Sequence, residues 1–256
     1  MKHVFSPFKI ALIVMAVAIL ACSVGAPAPT ATPVPTNTPV PPTNTPVPTA
    51  APPTDTPVPP TATPNAAATQ RSEEIMSVLT GFLDDGFIDT TEGEAELLDD
   101  FKQEWAQLGW YKWWPVDGEY ANFVFSAHFE WATANATPEV SGCGIIFGLQ
   151  ENDDHYAVFL DKARILFLMS RGSNVYNVGK TRGSGRANFG NPAEADFAVA
   201  IKGQMAYVSV DGEVTTYTLS QDQSSAGAFA LTVLSGTNRD YGTRCTMTDA
   251  FVWMPK

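Results

Sequence analysis

The chain has 256 residues, 45% of them hydrophobic, and carries a formal net charge of −12. That acidic balance argues against nucleic acid, and against docking on anionic lipid headgroups, because both select clustered Lys and Arg. It names no partner by itself.

The first predicted element is an export signal. Lys2 and Lys9 supply a positive start, and Ile10 to Leu20 form an apolar run of 11 residues. As a helix that run spans roughly half of a bilayer core, too short to cross it. It ends Ile19-Leu20-Ala21-Cys22, which resembles the lipobox of bacterial lipoproteins. The resemblance implies removal of residues 1–21 and acylation of Cys22, an anchor in the lipid bilayer facing outside the cytoplasm, at the cell surface or in the periplasm. Ordinary secretion is the alternative. Loss of Lys2 and Lys9 takes the charge from −12 to −14.

Residues 22–70 read as a disordered stalk. Pro27 to Pro64 hold 15 of the 20 prolines, 11 threonines and one charge, Asp55. The segment repeats itself as NTPVPPT at 37, NTPVPT at 44 and DTPVPPT at 55. It has little to bury, and proline fixes φ and removes donors, so an extended, solvated chain is expected. At ~3.1 Å per residue its reach is on the order of 100 Å. The threonines are candidates for O-glycosylation.

Residues 71–256 are long enough for one domain with a sizeable core. A helix is predicted in RSEEIMSVLTGFLDDG, with Ile75, Leu79, Phe82 and Leu83 on one face, Ser72 as cap and Gly86 as terminator. GFIDTTEGEAELLDDF then reads as a hairpin turning near Glu92-Gly93, and 71–97 as an extension packed on the sandwich. From Tyr120 onward period-two alternation dominates. Phe123, Phe125, Ala127, Phe129 and Trp131 share one face, while Ser126, His128 and Glu130 share the other. Further strands are predicted around 156–161, 165–169, 197–201, 205–210, 215–219, 228–234 and 245–254, with Asp211-Gly212 as a hairpin turn. Short strands without intervening helices predict an all-β, two-sheet antiparallel sandwich.

The order FVFSAHFEW, CGIIF, YAVFLD, VSVDGEV, GAFAL, DAFVW resembles the concanavalin A-like lectin/glucanase jelly roll over roughly residues 98–256. It is similar in particular to the laminin-G-like and 3-keto-disaccharide hydrolase-like domains of bacterial lipoproteins. These marks imply a fold and transfer no catalytic residue.

Within the stretch SGCGIIFGLQENDDHYAVFLD, Glu151 to Asp154 read as a turn, since Asn and Asp tolerate left-handed backbone. Two adjacent aspartates supply too few oxygens for calcium, although some laminin-G-like domains bind that ion. His155 is expected at the start of a strand, facing solvent. No C-x-x-C or H-x-x-H spacing surrounds it, so neither zinc nor any other cofactor is indicated. With Cys22 lipidated, Cys143 and Cys245 remain as an even pair in an oxidising compartment, and a disulfide between them is predicted. Two buried free thiols are the alternative.

For a binding face the conspicuous cluster is Trp110-Tyr111-Lys112-Trp113-Trp114, because indole and phenol rings stack on the apolar faces of sugars. In a strand Tyr111 and Trp113 share one side, and Trp110, Lys112 and Trp114 the other. Tyr176 and Tyr241 are weaker candidates. No E-x-D-x-x-E motif of the laminarinase type is present; Glu92, Glu94 and Glu96 alternate as on a solvated edge. Glu130 with His128 is the best acid/base pair available. The expected function is a tethered, non-catalytic module binding a glycan or cell-surface polymer. A carbohydrate-active hydrolase and a structural or protein-interaction module are the alternatives.

Overall fold

A computed structural model describes residues 66–134, 140–161, 164–180, 182–183 and 190–256. The export signal, Cys22 and the stalk repeats lie outside these residues. In chain order the elements are α1 (Ala66–Asp84), β1 (Gly93–Leu97), β2 (Phe101–Trp105), β3 (Trp110–Tyr120), β4 (Phe123–Thr133), β5 (Gly142–Leu149), β6 (His155–Asp161) and β7 (Arg164–Arg171). They continue with β8 (Asn174–Asn177), β9 (Arg182–Gly183), β10 (Ala193–Lys202), β11 (Met205–Val210), β12 (Glu213–Thr218), β13 (Gly227–Ser235) and β14 (Thr243–Pro255).

The strands form two antiparallel sheets. The first runs β1-β14-β4-β10-β11-β12, with β2 also on β14; the second runs β3-β13-β5-β6-β7-β8, with β9 also on β7. The chain passes between sheets at β2–β3, β3–β4, β4–β5, β9–β10, β12–β13 and β13–β14, the signature of a jelly-roll sandwich. The alternation read in β4 holds: Phe123, Phe125, Phe129 and Trp131 are all buried between the sheets. They meet Ile145, Phe147, Val158, Phe229 and Val233 from the second sheet in one core. Phe129 stacks on Phe197 at 4.6 Å. The Cys143–Cys245 disulfide crosses this core from β5 to β14, Cα to Cα 5.6 Å, closing a loop over a separation of 102 residues. At Asp211-Gly212 both residues have positive φ, 49° and 82°, as the two-residue hairpin between β11 and β12 requires.

The helix lies on the outside of the first sheet. Ile75, Leu79, Phe82 and Ile88 bury against Val124, Ala198, Ala200, Phe251 and Trp253. The alanines of β10 let the helix approach closely. Two expectations are corrected here. α1 begins at Ala66, upstream of the expected boundary at residue 71, and Ser72 sits inside it, its hydroxyl donating to the Ala68 carbonyl at 2.9 Å. Alanines 66–68, strong helix formers, carry the helix past that cap. The hairpin around Glu92-Gly93 does not form. After α1 the Phe87 amide donates to the Phe82 carbonyl at 2.8 Å and its ring stacks on Tyr207 at 4.3 Å, and β1 and β2 both pair with β14 instead. Glu94 and Glu96 are exposed on β1, the solvated edge expected of them.

Candidate functional site

The outer face of the second sheet is aromatic. Residues directly opposite on antiparallel neighbours point to the same side, so the registers place Tyr111, Leu234, Gly142 and Asp161 in one row. Trp113, Thr232, Gly144, Phe159 and Leu166 form the next, and Ala230, Ile146, Ala157 and Leu168 the third. The middle of this face carries small groups. A Cβ at Gly144 would come within 2.6 Å of Phe159 Cδ1 and closer still to the Val158 carbonyl oxygen, so only glycine fits between β5 and that ring. Rings from β3 and β6 therefore meet across β13 and β5. Tyr111 lies 6.0 Å from Trp113, 5.2 Å from Phe159 and 5.8 Å from His155, and Trp113 lies 5.3 Å from His155, centroid to centroid.

His155 is where sequence and structure part. Expected in solvent, it is 2% exposed. It does sit on the outer face, but Tyr111 and Trp113 close over it from β3. The Asp153 carbonyl lies 2.6 Å from its Nδ1, and the Tyr111 hydroxyl 2.8 Å from its Nε2. Asp153 offers that carbonyl from a left-handed turn position, φ 64°, in the Glu151–Asp154 turn foreseen from sequence. Burial lowers the His155 pKa, opposed by the Asp153 carbonyl and the charges of Asp153 and Asp154. Burial also pushes Tyr111 up to about 12.

The four rings nominated from sequence separate as strand alternation requires. Tyr111 and Trp113 lie on the outer face, partly exposed. Trp114 turns inward and packs edge-on against Phe101 at 5.3 Å, with Lys112 Nζ 5.1 Å above it and 5.4 Å above Trp105. Trp110, 62% exposed, stands at the start of β3 beside Leu108. Tyr176 is exposed on β8, and Tyr241 carries the Arg244 guanidinium 4.5 Å above its ring.

The outer face of the first sheet is charged where α1 leaves it open. His128 and Glu130 of β4 face Asp196 and Glu194 of β10 directly across the pair. The Asp196 carboxylate lies 2.8 Å from His128 Nδ1, a pairing that leaves Nε2 for another partner. A groove of about 460 Å³ runs here between helix and sheet, lined by Arg71, Glu74, Ser77, His128, Asp196 and Asp249. Arg71 spans it, 3.3 Å from Glu74 and 3.5 Å from Asp249. Local sequence pattern points to His128 and Glu130 but not to Glu194 and Asp196. Only the β4–β10 register joins them. Among the described residues no group of three or more His, Cys, Asp or Glu is placed to hold a metal ion.

No family model matches the chain, and no curated protein matches it. Solved structures do. The carbohydrate binding module CBM66 from Bacillus subtilis superposes with a TM-score of 0.43 at 8% identity, over 62% of this chain and 95% of that one. A fructosyltransferase from A. japonicus gives 0.41 at 12% identity, over 63% of this chain but only 26% of its own. The beta-glucanase of Bacillus licheniformis gives 0.39 at 10% identity, over 54% and 69%.

Proposed function

We propose that this chain is an exported lipoprotein, acylated on Cys22, whose stalk holds the sandwich away from the membrane. On this reading the sandwich binds a glycan or similar surface polymer on the outer face of the second sheet, without transforming it. The observation that carries it is the Tyr111–Trp113 pair: two neighbouring, partly exposed rings on a sheet face, flanked by a tyrosine hydroxyl hydrogen bond. Flat rings offer stacking surface to the C–H faces of sugars, and nearby hydroxyls fix their orientation. The placement of α1 favours the same face, because the element that comes after the stalk covers the other sheet.

Two measurements test the proposal. Pull-down on insoluble polysaccharides, followed by calorimetry on soluble fragments, is expected to give binding that a Tyr111→Ala/Trp113→Ala variant loses. Equal binding by a folded double variant would remove the site. Cys22→Ser is expected to move the protein from the membrane fraction to the medium; retention would remove the anchor. A hydrolase is the second reading, favoured by the His128–Asp196 pair and the facing Glu130 and Glu194. Release of reducing sugar, abolished in Glu130→Gln, would establish it in place of the first.

A further inference from the structure

Resting on the reading of the second sheet as a sugar-binding face, we infer that the Asp153–His155–Tyr111 chain fixes the polarity of that face. The Tyr111 oxygen then accepts, so the face selects neutral, hydroxyl-bearing sugars over uronic-acid polymers. The direction comes from one group that has no choice. A backbone carbonyl only accepts, so His155 Nδ1, 2.6 Å from the Asp153 oxygen, must carry the hydrogen. The neutral ring then has only a lone pair at Nε2, and the Tyr111 hydroxyl 2.8 Å away must donate to it. With its one hydrogen spent inward, the Tyr111 oxygen presents lone pairs to anything stacked beside Trp113. A sugar hydroxyl can donate to them. A carboxylate cannot, and would leave two acceptors facing each other.

The pair sits where such selection is effective. His155 is buried, so water does not compete for Nε2, while Tyr111 stays partly exposed. The titratable groups facing the imidazole are Tyr111 from β3 and Asp153 and Asp154 from the turn; its opposite residue on β7 is the neutral Ser170. Protonation of His155 reverses the chain. Nε2–H becomes a donor, the Tyr111 oxygen accepts it, and the hydroxyl hydrogen turns outward. The preference for neutral sugars then collapses in acid.

The test pairs binding with a direct reading of the ring. Neutral hexasaccharides of glucose, mannose and fructose are titrated calorimetrically at pH 7.5 against counterparts carboxylated at the primary hydroxyl. Wild type and Tyr111→Phe, which keeps the ring, are compared. Nitrogen-15 NMR of His155 reports its tautomer in the same samples. The expected results are hydrogen on Nδ1 alone and about tenfold or stronger preference for the neutral partner, lost in Tyr111→Phe. That preference is also expected to vanish at the pH where NMR shows the ring charged. Hydrogen on Nε2 at pH 7.5, equal affinity for both sugars, or an unchanged preference in Tyr111→Phe would each overturn the inference and leave sugar binding standing. Failure of every sugar to bind, with the tautomer as expected, would overturn the sugar-binding reading and the selection built on it.

Discussion

The two outer faces of the sandwich are built on the same strand geometry and end with opposite surfaces. On the first sheet, outward positions of β4 and β10 divide into an end of small or apolar residues, where α1 seats, and an end with His128, Glu130, Glu194 and Asp196, where it does not. On the second, outward positions of β5 and β13 are small or apolar throughout, β6 adds the buried His155 and Asp161, and the rings of β3 fold inward over them. The lesson is that the residues between strand-core positions decide what a face does. Small groups invite a covering element, charges keep a face wet, and small groups flanked by rings make a shallow aromatic surface.

The largest way to break this contrast is to untie the two sheets. Cys143→Ser with Cys245→Ser, or reduction, is expected to cost up to about 4–5 kcal/mol by the chain-entropy argument, measured as a fall in unfolding free energy in urea. An unchanged midpoint would show that the bridge does not hold the faces together. Next, Leu79→Ala, at a position 1% exposed on the buried face of α1, is expected to cost about 3 kcal/mol while leaving ligand affinity on the other face intact. Coupled loss of both would mean that the faces are not independent.

A smaller effect is expected from pH. The folded state keeps His155 neutral below the usual pKa of 6.5. Its contribution is complete above pH 6.5 and is lost as pH falls toward the lowered folded value, because the unfolded chain takes up the proton first. His155→Gln should flatten that part of the stability curve, read by thermal melts from pH 7.5 to 4.5. The smallest effect belongs to the first sheet. His128 and Asp196 side chains are 41% and 81% exposed, so Asp196→Asn is expected to change stability by less than about 0.5 kcal/mol.

How far the molecule was legible depends on the distance over which a residue's fate is decided. The inward faces of β4 and β6 are set by local alternation, the helix seam by spacing, and the Asp211-Gly212 turn by two residues, and all were readable. The cysteine pairing was readable by counting. The strands at Gly93 and Phe101 were not, because their partner β14 lies some 150 residues later and local pattern favoured pairing near neighbours. His155 was placed in water because its cover comes from Tyr111, separated by 44 residues. Asp196 was missed beside His128 for the same reason, at a separation of 68. Of the aromatic face, the split of Tyr111 and Trp113 from Trp114 came from alternation, whereas the floor beneath them required the register of four strands.

The disulfide between β5 and β14 has a mechanical consequence. A pull on the chain ahead of α1 is taken up by the helix and passed to β14 through Phe251 and Trp253. A load on Tyr111 or Trp113 enters β3 and reaches β5 through β13. Among the described residues, the only covalent shortcut between those two paths, outside the backbone itself, is Cys143–Cys245. Stretched between an attached polymer and its own N-terminal end, the domain should therefore yield first by peeling of the helix, with the two layers still clasped.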